Sequence, residues 1–363
     1  MRISLETPGS DRHRMNPLYL GHLHRLGPGS GLEATLKRFT NLALAALLIG
    51  AIASGLISQG LGTEWSRVAT IAHGVLGLSF LLLVPWKSGV ARTGFRRRRK
   101  GAIWSVALVV TVVITIGSGL LQVVGTTSRI GPLTTMQVHI GAAVLSVLLV
   151  GWHYVRHPVR PRTTDLSRRN LLRTGGLAAG AGVALAGWES ALGVFDLPGS
   201  ERRFTGSHER GSGNPARMPV TQWFTDKVQR LDRLETEVGG RVLGPDDVSS
   251  LPLETLEATL DCTGGWHSTQ QWTGVRLDRL LGEVDGVSIR VRSVTGYERR
   301  FPARDADSIW LAFEVGGQPL SAGHGYPARI VAPGRRGFWW VKWVDSVTVS
   351  DVPSWFQPPF PLT

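Results

Sequence analysis

Two hydrophobic patterns divide the chain. Up to about residue 195 apolar residues run together in long blocks; beyond it they alternate with polar ones in short stretches. Blocks at 39–60, 68–86, 101–124 and 134–155 match the roughly 20 apolar residues that a bilayer-spanning helix needs. A fifth, 174–195, is weaker, being rich in Gly and Ala and carrying Glu189. The strong blocks have no polar face, which argues against buried helices of a soluble protein.

After 195 the character changes. Residues 196–215 are polar, charged and Gly/Ser-rich and are expected to be a linker. Short extended segments follow: Arg241-Val242-Leu243, Ala258-Thr259-Leu260, Ser288-Ile289-Arg290-Val291, Ala328-Arg329-Ile330-Val331 and 344–349. A short helical piece is expected at Leu277–Leu281. The chain is therefore expected to combine an N-terminal α-helical membrane bundle of five spans with a C-terminal α+β, mainly β, domain. The divisions are a segment 1–38, a four-span bundle 39–157, a fifth span with its leader at 165–195, the linker, and the domain 216–363.

Charge gives the bundle an orientation. The formal net charge is +13, but the cations gather between apolar blocks, as in the run Arg96-Arg97-Arg98-Arg99-Lys100, and not on one soluble face. That placement sets topology and argues against a nucleic-acid partner. With five spans, the basic segments around Arg25, Lys37 and Arg38, around Lys87 and Arg92, and around Arg156 to Arg173 all fall on one side. The loops 61–67 and 125–133 hold one arginine each, Arg67 and Arg129. This predicts a multi-pass protein of the cytoplasmic membrane, with its N-terminus inside and its C-terminal domain outside.

Ser167-Arg168-Arg169-Asn170-Leu171-Leu172-Arg173 precedes the weakly apolar fifth block and looks like an internal twin-arginine export signal. The plainer alternative is that the pair only sets topology. Ala184-Leu185-Ala186 offers a cleavage site, although an uncleaved anchor is expected.

Two histidines lie within the spans. His73 and His139 fall near the outer ends of the second and fourth blocks, beside Gly74, Gly77 and Gly141. Ionisable residues inside a membrane point to function, and two facing imidazoles can hold a haem iron axially. The alternative is that each simply hydrogen-bonds a neighbouring helix. His153 follows His139 by fourteen residues, a spacing that resembles stacked haem ligands in respiratory cytochrome b. Fourteen after His73, however, stands Lys87, so one outer haem b is expected. His153 and His157 fall at the interface, and His22 and His24 precede the first span.

The sequence has one cysteine, Cys262, which excludes an internal disulfide and is by default a buried thiol. Its surroundings change that reading. From about residue 217 onward the chain resembles the molybdopterin-binding domain of sulfite oxidases and periplasmic methionine sulfoxide reductases. The likeness is carried, in order, by Leu260-Asp261-Cys262-Thr263-Gly264-Gly265-Trp266, by Trp272-Thr273-Gly274-Val275-Arg276-Leu277 and by Leu311-Ala312-Phe313-Glu314-Val315-Gly316-Gly317-Gln318-Pro319-Leu320. His324-Gly325-Tyr326-Pro327-Ala328-Arg329-Ile330-Val331 and Gly337-Phe338-Trp339-Trp340-Val341-Lys342-Trp343 complete it.

The resemblance implies that Cys262 is the protein ligand of molybdenum, as suits a soft thiolate. It places Arg335, Arg336, Lys342 and His324 where the pterin is held, and leaves His267 either lining the pocket or on the surface. Sulfite oxidases have an arginine soon after the cysteine, whereas Trp266-His267-Ser268 stands here, which looks more like the sulfoxide reductases. Arg299 and Arg300 are a further candidate anion site. The sequence thus leads to the expectation of a molybdenum oxidoreductase that exchanges electrons with the quinone pool and reduces a sulfoxide or similar S- or N-oxide. Oxidation of sulfite or a related small anion is the alternative, and a haem-free anchored cofactor-binding module a further one.

Overall fold

The computed structural model describes residues 28–97, 102–156, 158–223 and 226–361. His22, His24, Arg25, His157 and the basic residues Arg98, Arg99 and Lys100 lie outside the described residues.

Five helices make up the first part: α1 (Pro28–Gly60), α2 (Ser66–Arg97), α3 (Ala102–Val124), α4 (Thr135–Arg156) and α5 (Arg168–Val194). Each contains a segment long and apolar enough to cross a membrane, and that of α5 is the least apolar. Large apolar side chains such as Ile49, Val68, Val113 and Leu148 stand on the outside of the bundle, as expected of helices surrounded by lipid.

The bundle is built from two similar helix pairs. α1 packs on α2 and α3 on α4, while α5 lies along α2, where Leu185 meets Gly74. Ser54-Gly55-Leu56 of α1 recurs as Ser118-Gly119-Leu120 of α3. Both serines donate back to the carbonyl four residues earlier, Ser54 to Gly50 and Ser118 to Ile114. His73 and His139 occupy matching places on the second helix of each pair, as the next subsection shows.

The C-terminal part contains two sheets. One joins β3 (His208–Glu209), β6 (Glu254–Cys262), β7 (Trp266–Arg276), β10 (Trp310–Val315), β11 (Gln318–Pro319) and β12 (Arg329–Val331). Its path runs β11-β10-β7-β3, with β12 added to β10 and β6 to β7. The other, in the order β5-β4-β13-β8-β9, joins β4 (Thr236–Val238), β5 (Arg241–Leu243), β8 (Ser288–Ser293), β9 (Glu298–Pro302) and β13 (Val344–Ser350). β1 (Arg129–Ile130) and β2 (Leu133–Thr134) form a separate small hairpin before α4. Trp272, Ile289, Val291, Phe301, Leu311, Ile330 and Val347 are fully buried in the common core. The mainly β domain therefore agrees with the sequence expectation.

The segment 196–215 differs from the expected linker. β3 pairs in parallel with β7, matching His208 to Trp266 and Glu209 to His267. Thr205 and Ser207 donate to the buried Asp261 carboxylate at 2.8 and 2.7 Å. The polar composition that reads as a linker instead satisfies a buried charge, which costs free energy unless it is hydrogen-bonded. The folded domain thus starts ahead of residue 216.

The domain sits on one end of the bundle. Gly62, just past α1, comes so close to residues 334–336 that a Cβ there would stand 2.5 Å from the Gly334 carbonyl oxygen. His208 meets the Gln122 carbonyl near the end of α3 at 2.6 Å. At the opposite end Arg38 of α1 makes a two-bond pair with Asp165, just before α5, at 2.8 and 2.7 Å. The described basic residues 37, 38, 160, 162, 168 and 169 therefore share the end remote from the domain.

Candidate active site and membrane histidine pair

Cys262 ends β6, and residues 263–265 turn the chain into β7. Gly265 adopts φ +89, a conformation that favours glycine. Its N–H donates to the Cys262 carbonyl at 3.1 Å, and the Gly264 N–H donates to the Cys262 sulfur at 3.3 Å. Burial pushes the thiol pKa up, so ionisation needs a cation or metal to offset desolvation.

Strand alternation sorts the neighbours. Cys262 pairs with Trp266 and Asp261 with His267, so the cysteine and tryptophan share one face and the aspartate and histidine the other. On that other face Arg336, with 0% exposure, donates to Asp261 at 2.5 Å. It also donates to the Cys262 carbonyl at 3.3 Å. Arg203 approaches the same carboxylate at 3.2 Å. The metal-ligand candidate is thus held from behind by a buried ion-pair network.

In front of Cys262 is a cleft walled by Thr221, Leu260, Trp266, His324, Arg329, Trp340 and Lys342. Trp266 Nε1 donates to Thr221 Oγ1 at 3.1 Å. Arg329 is buried against Trp272 and Trp340, its carbon Cζ 4.9 and 5.6 Å from their ring centres. Its clearest hydrogen bond is to the His324 carbonyl, at 2.9 Å. Lys342 donates to the carbonyls of Thr221 and Gly323 at 2.9 and 3.1 Å. Among the described residues no carboxylate forms an ion pair with either cation.

This crowding of buried cations perturbs them all. Burial lowers Arg329 to about 9. Lys342 falls to about 7, through burial first and then the nearby Arg329. His324 falls to about 4 for the same two reasons. His324 is therefore neutral at pH 7, with Nδ1 2.9 Å from Ser321 Oγ and Nε2 3.1 Å from the Met218 carbonyl. Because a carbonyl only accepts, Nε2 carries the proton. A cysteine facing an arginine and a lysine that have no ion-paired carboxylate among the described residues fits an anionic, metal-bearing group.

Of the residues singled out from sequence, Cys262, His324 and Lys342 converge on this cleft. Arg335 instead pairs with Asp305 and stacks on Trp339 at 4.6 Å. Arg336 is committed to Asp261. His267 lies on the opposite face from Cys262, its Nδ1 3.2 Å from the Ser207 carbonyl, because one step along a strand reverses the side chain. Arg299 stacks on Trp339 at 4.2 Å, and Arg300 pairs with Glu298 at 2.9 Å. Sequence reasoning missed Arg329, whose signal is a single charge within the apolar run 328–332.

A second constellation lies in the bundle. The His73 and His139 rings stand 5.8 Å apart, centre to centre, with planes 87° apart. His73 Nδ1 lies 2.8 Å from the Ala51 carbonyl, and His139 Nδ1 2.8 Å from the Thr115 carbonyl. Each Nδ1 must donate, which turns each Nε2 into the ring atom available to ligate. Gly55 and Gly119 make room for the rings: a Cβ would stand 3.1 Å from His73 and 3.0 Å from His139. Gly77 and Gly141 have open space beside them, whereas Gly74 packs on Leu185. At the far end Lys87 donates to Asn41 at 2.6 Å, so the repeat has matching histidines only once.

Comparison with known proteins bears on the domain that carries the cleft. Residues 227–356 match the family described as the oxidoreductase molybdopterin-binding domain. Mitochondrial sulfite oxidase of Rattus norvegicus is 30% identical over 149 residues, which is 31% of this chain and 27% of that protein. The Homo sapiens protein is 30% identical over 142 residues, 30% of this chain and 26% of that protein. Sulfite oxidase of Arabidopsis thaliana is 28% identical over 169 residues, 34% of this chain and 43% of the other. The chain therefore spans about a quarter of the length of the rat and human relatives. The crystal structure of the sulfane dehydrogenase SoxCD from Paracoccus pantotrophus is 27% identical, over 34% of this chain and 40% of that one, with a TM-score of 0.32. The C-terminal domain of this chain therefore matches the oxidoreductase molybdopterin-binding domain over residues 227–356 and is similar there to sulfite oxidases.

Proposed function

We propose that the protein oxidises sulfite or a related small sulfur oxyanion outside the cytoplasmic membrane and passes the electrons through a haem to the quinone pool. The observation that carries this reading is the pair of a buried Arg329 and a half-buried Lys342, which face Cys262 with no ion-paired carboxylate among the described residues. The names of the relatives, sulfite oxidases, point the same way.

When bound, the molybdenum cofactor supplies two-electron oxygen-atom chemistry. The chain's own residues do the rest. Cys262 offers a thiolate to the metal, its negative charge stabilised by the Gly264 N–H. Arg329, Lys342 and the neutral His324 receive the anionic pterin and the anionic substrate, with charge-assisted hydrogen bonds from the two cations. Trp266 and Trp340 wall the cleft and limit water.

His73 and His139 are the residues that would hold the iron of one haem b, which would carry electrons singly; the Nδ1 bonds that leave each Nε2 available and the glycines behind the rings support this. The concentration of cations at the bundle end remote from the domain supports an N-terminus inside and the domain outside. Export through the twin-arginine route, signalled by Arg168 and Arg169, suits a domain that acquires its cofactor before translocation. The packing of Leu185 on Gly74 supports an uncleaved fifth span.

A second reading is reduction of a sulfoxide or a similar S- or N-oxide. It is favoured by Trp266-His267-Ser268, which puts no arginine just after the cysteine. The test is a turnover screen of the cofactor-loaded membrane protein with sulfite, sulfoxides and N-oxides. Sulfite-dependent reduction of quinone supports the proposal. Turnover of sulfoxides alone replaces it with the second reading, and an inert protein with no haem band indicates an anchored cofactor-binding module.

A further inference from the structure

The Cys262 turn does not hang free above the membrane helices. Gln59 of α1 donates from Nε2 to the Thr263 carbonyl at 2.9 Å. Gln122 of α3 donates to the Gly206 carbonyl at 3.1 Å and the Gly265 carbonyl at 3.3 Å. A Cβ on Gly265 would stand 2.8 Å from Gln122 Nε2 and 3.0 Å from Met136 of α4. The turn that follows the metal-ligand candidate is therefore seated on the ends of three helices.

These two glutamines occupy related places. Gln59 is four residues beyond Gly55, which backs His73, and Gln122 is three beyond Gly119, which backs His139. At about 1.5 Å of rise per residue, Gln122 and Gln59 lie only about 4.5 and about 6 Å above the glycines that support the histidines. Each half of the helix-pair repeat thus runs from a histidine, through a glycine, to a glutamine that grips the Cys262 turn.

We infer that Gln59 and Gln122 are positioning residues that hold the Cys262 turn over the histidine pair and so set the rate of electron transfer between the two cofactors. This rests on the haem assignment above. Electrons cross one at a time: the cofactor that gives one up is oxidised by one electron, the other is reduced by one, and no bond is made or broken. The path is bonded throughout, from the Cys262–Thr263 backbone across one hydrogen bond to Gln59, then about 12 Å along α1 to the Ala51 carbonyl bonded by His73. The Gln122 route to His139 parallels it. The domain needs no swing toward the membrane during turnover, because its contact with the bundle already exists.

The test uses the full chain carrying both cofactors, with Gln59→Met, Gln122→Met and the double variant, which keep side-chain length but remove the amide donor. Molybdenum content, the reduced-minus-oxidised haem spectrum, and the flash-induced rate of electron exchange between the centres are measured. The expected result is normal metal and an unchanged spectrum, with the exchange rate slowed severalfold in each single variant and further in the double. Wild-type exchange rates in all three variants overturn the inference. Loss of the metal or the haem band from the variants also overturns it, since the glutamines are then structural. Absence of a haem band from the unmodified protein is a different result and removes the haem assignment itself.

Discussion

Arg336 donates to Asp261 at 2.5 Å with both side chains out of water, one residue from Cys262. The pair fixes the end of β6 from the side opposite the cleft. Removing one partner of a buried ion pair leaves the other charge uncompensated. Asp261→Asn is therefore expected to destabilise the domain by about 3–5 kcal/mol. Denaturant unfolding of the purified protein measures this, and a change under about 1 kcal/mol contradicts a stabilising role for the network.

The histidine pair gives a spectroscopic prediction. On the proposed haem assignment, His73→Ala or His139→Ala removes one iron ligand, so a haem band of the membranes should disappear or shift in both variants alike. Gly119→Leu should act similarly, because even a Cβ at that position would stand 3.0 Å from the His139 ring. A band indifferent to all three substitutions contradicts ligation at this site.

His324 gives a pH dependence. Its pKa falls from an ordinary 6.5 to about 4 in the folded protein, so the unfolded chain binds more protons between those values. Stability contributed by the neutral ring is complete above about 6.5 and declines as pH drops toward about 4, by up to about 3 kcal/mol. Unfolding of the cofactor-free protein across that range should show the slope, and His324→Gln should flatten it. Equal slopes in both proteins contradict burial of the neutral ring.

Lys342 faces the cleft and, on the proposed sulfite reading, gives the bound anion one charged donor. Loss of a hydrogen bond from a charged group costs about 1.5–3 kcal/mol, so Lys342→Met should raise the KM for sulfite about tenfold or more. Steady-state kinetics separates this from loss of cofactor, which lowers the active fraction without moving KM.

The long apolar blocks made the five helices legible, since a span needs little more than length and apolarity. β7 was harder. Its inward residues include Ser268 and Gln270, which are buried because Gln270 donates to the Gly211 carbonyl and to Ser268 Oγ. Hydropathy alternation does not register such a strand. The segment carrying Thr205 and Ser207 reads as a linker because their partner Asp261 lies far away in sequence. At the site, Cys262, His324 and Lys342 stood in recognisable motifs. Arg335 and Arg336 stood beside them but turn to Asp305 and Asp261, a choice made by tertiary packing. The supports of the histidine pair, Gly55 and Gly119, sit on other helices, and their shared Ser-Gly-Leu triplet does not say which histidine each one backs.

The central claim is that Cys262 holds the metal of a molybdopterin cofactor. The most direct test is metal analysis of the purified protein and of Cys262→Ser, with circular dichroism to confirm that the variant folds. The account predicts about one molybdenum per chain in the unmodified protein, with activity lost and metal content or its spectroscopic sulfur ligation altered in the folded variant. Full molybdenum content, unchanged ligation and undiminished turnover in Cys262→Ser would contradict it.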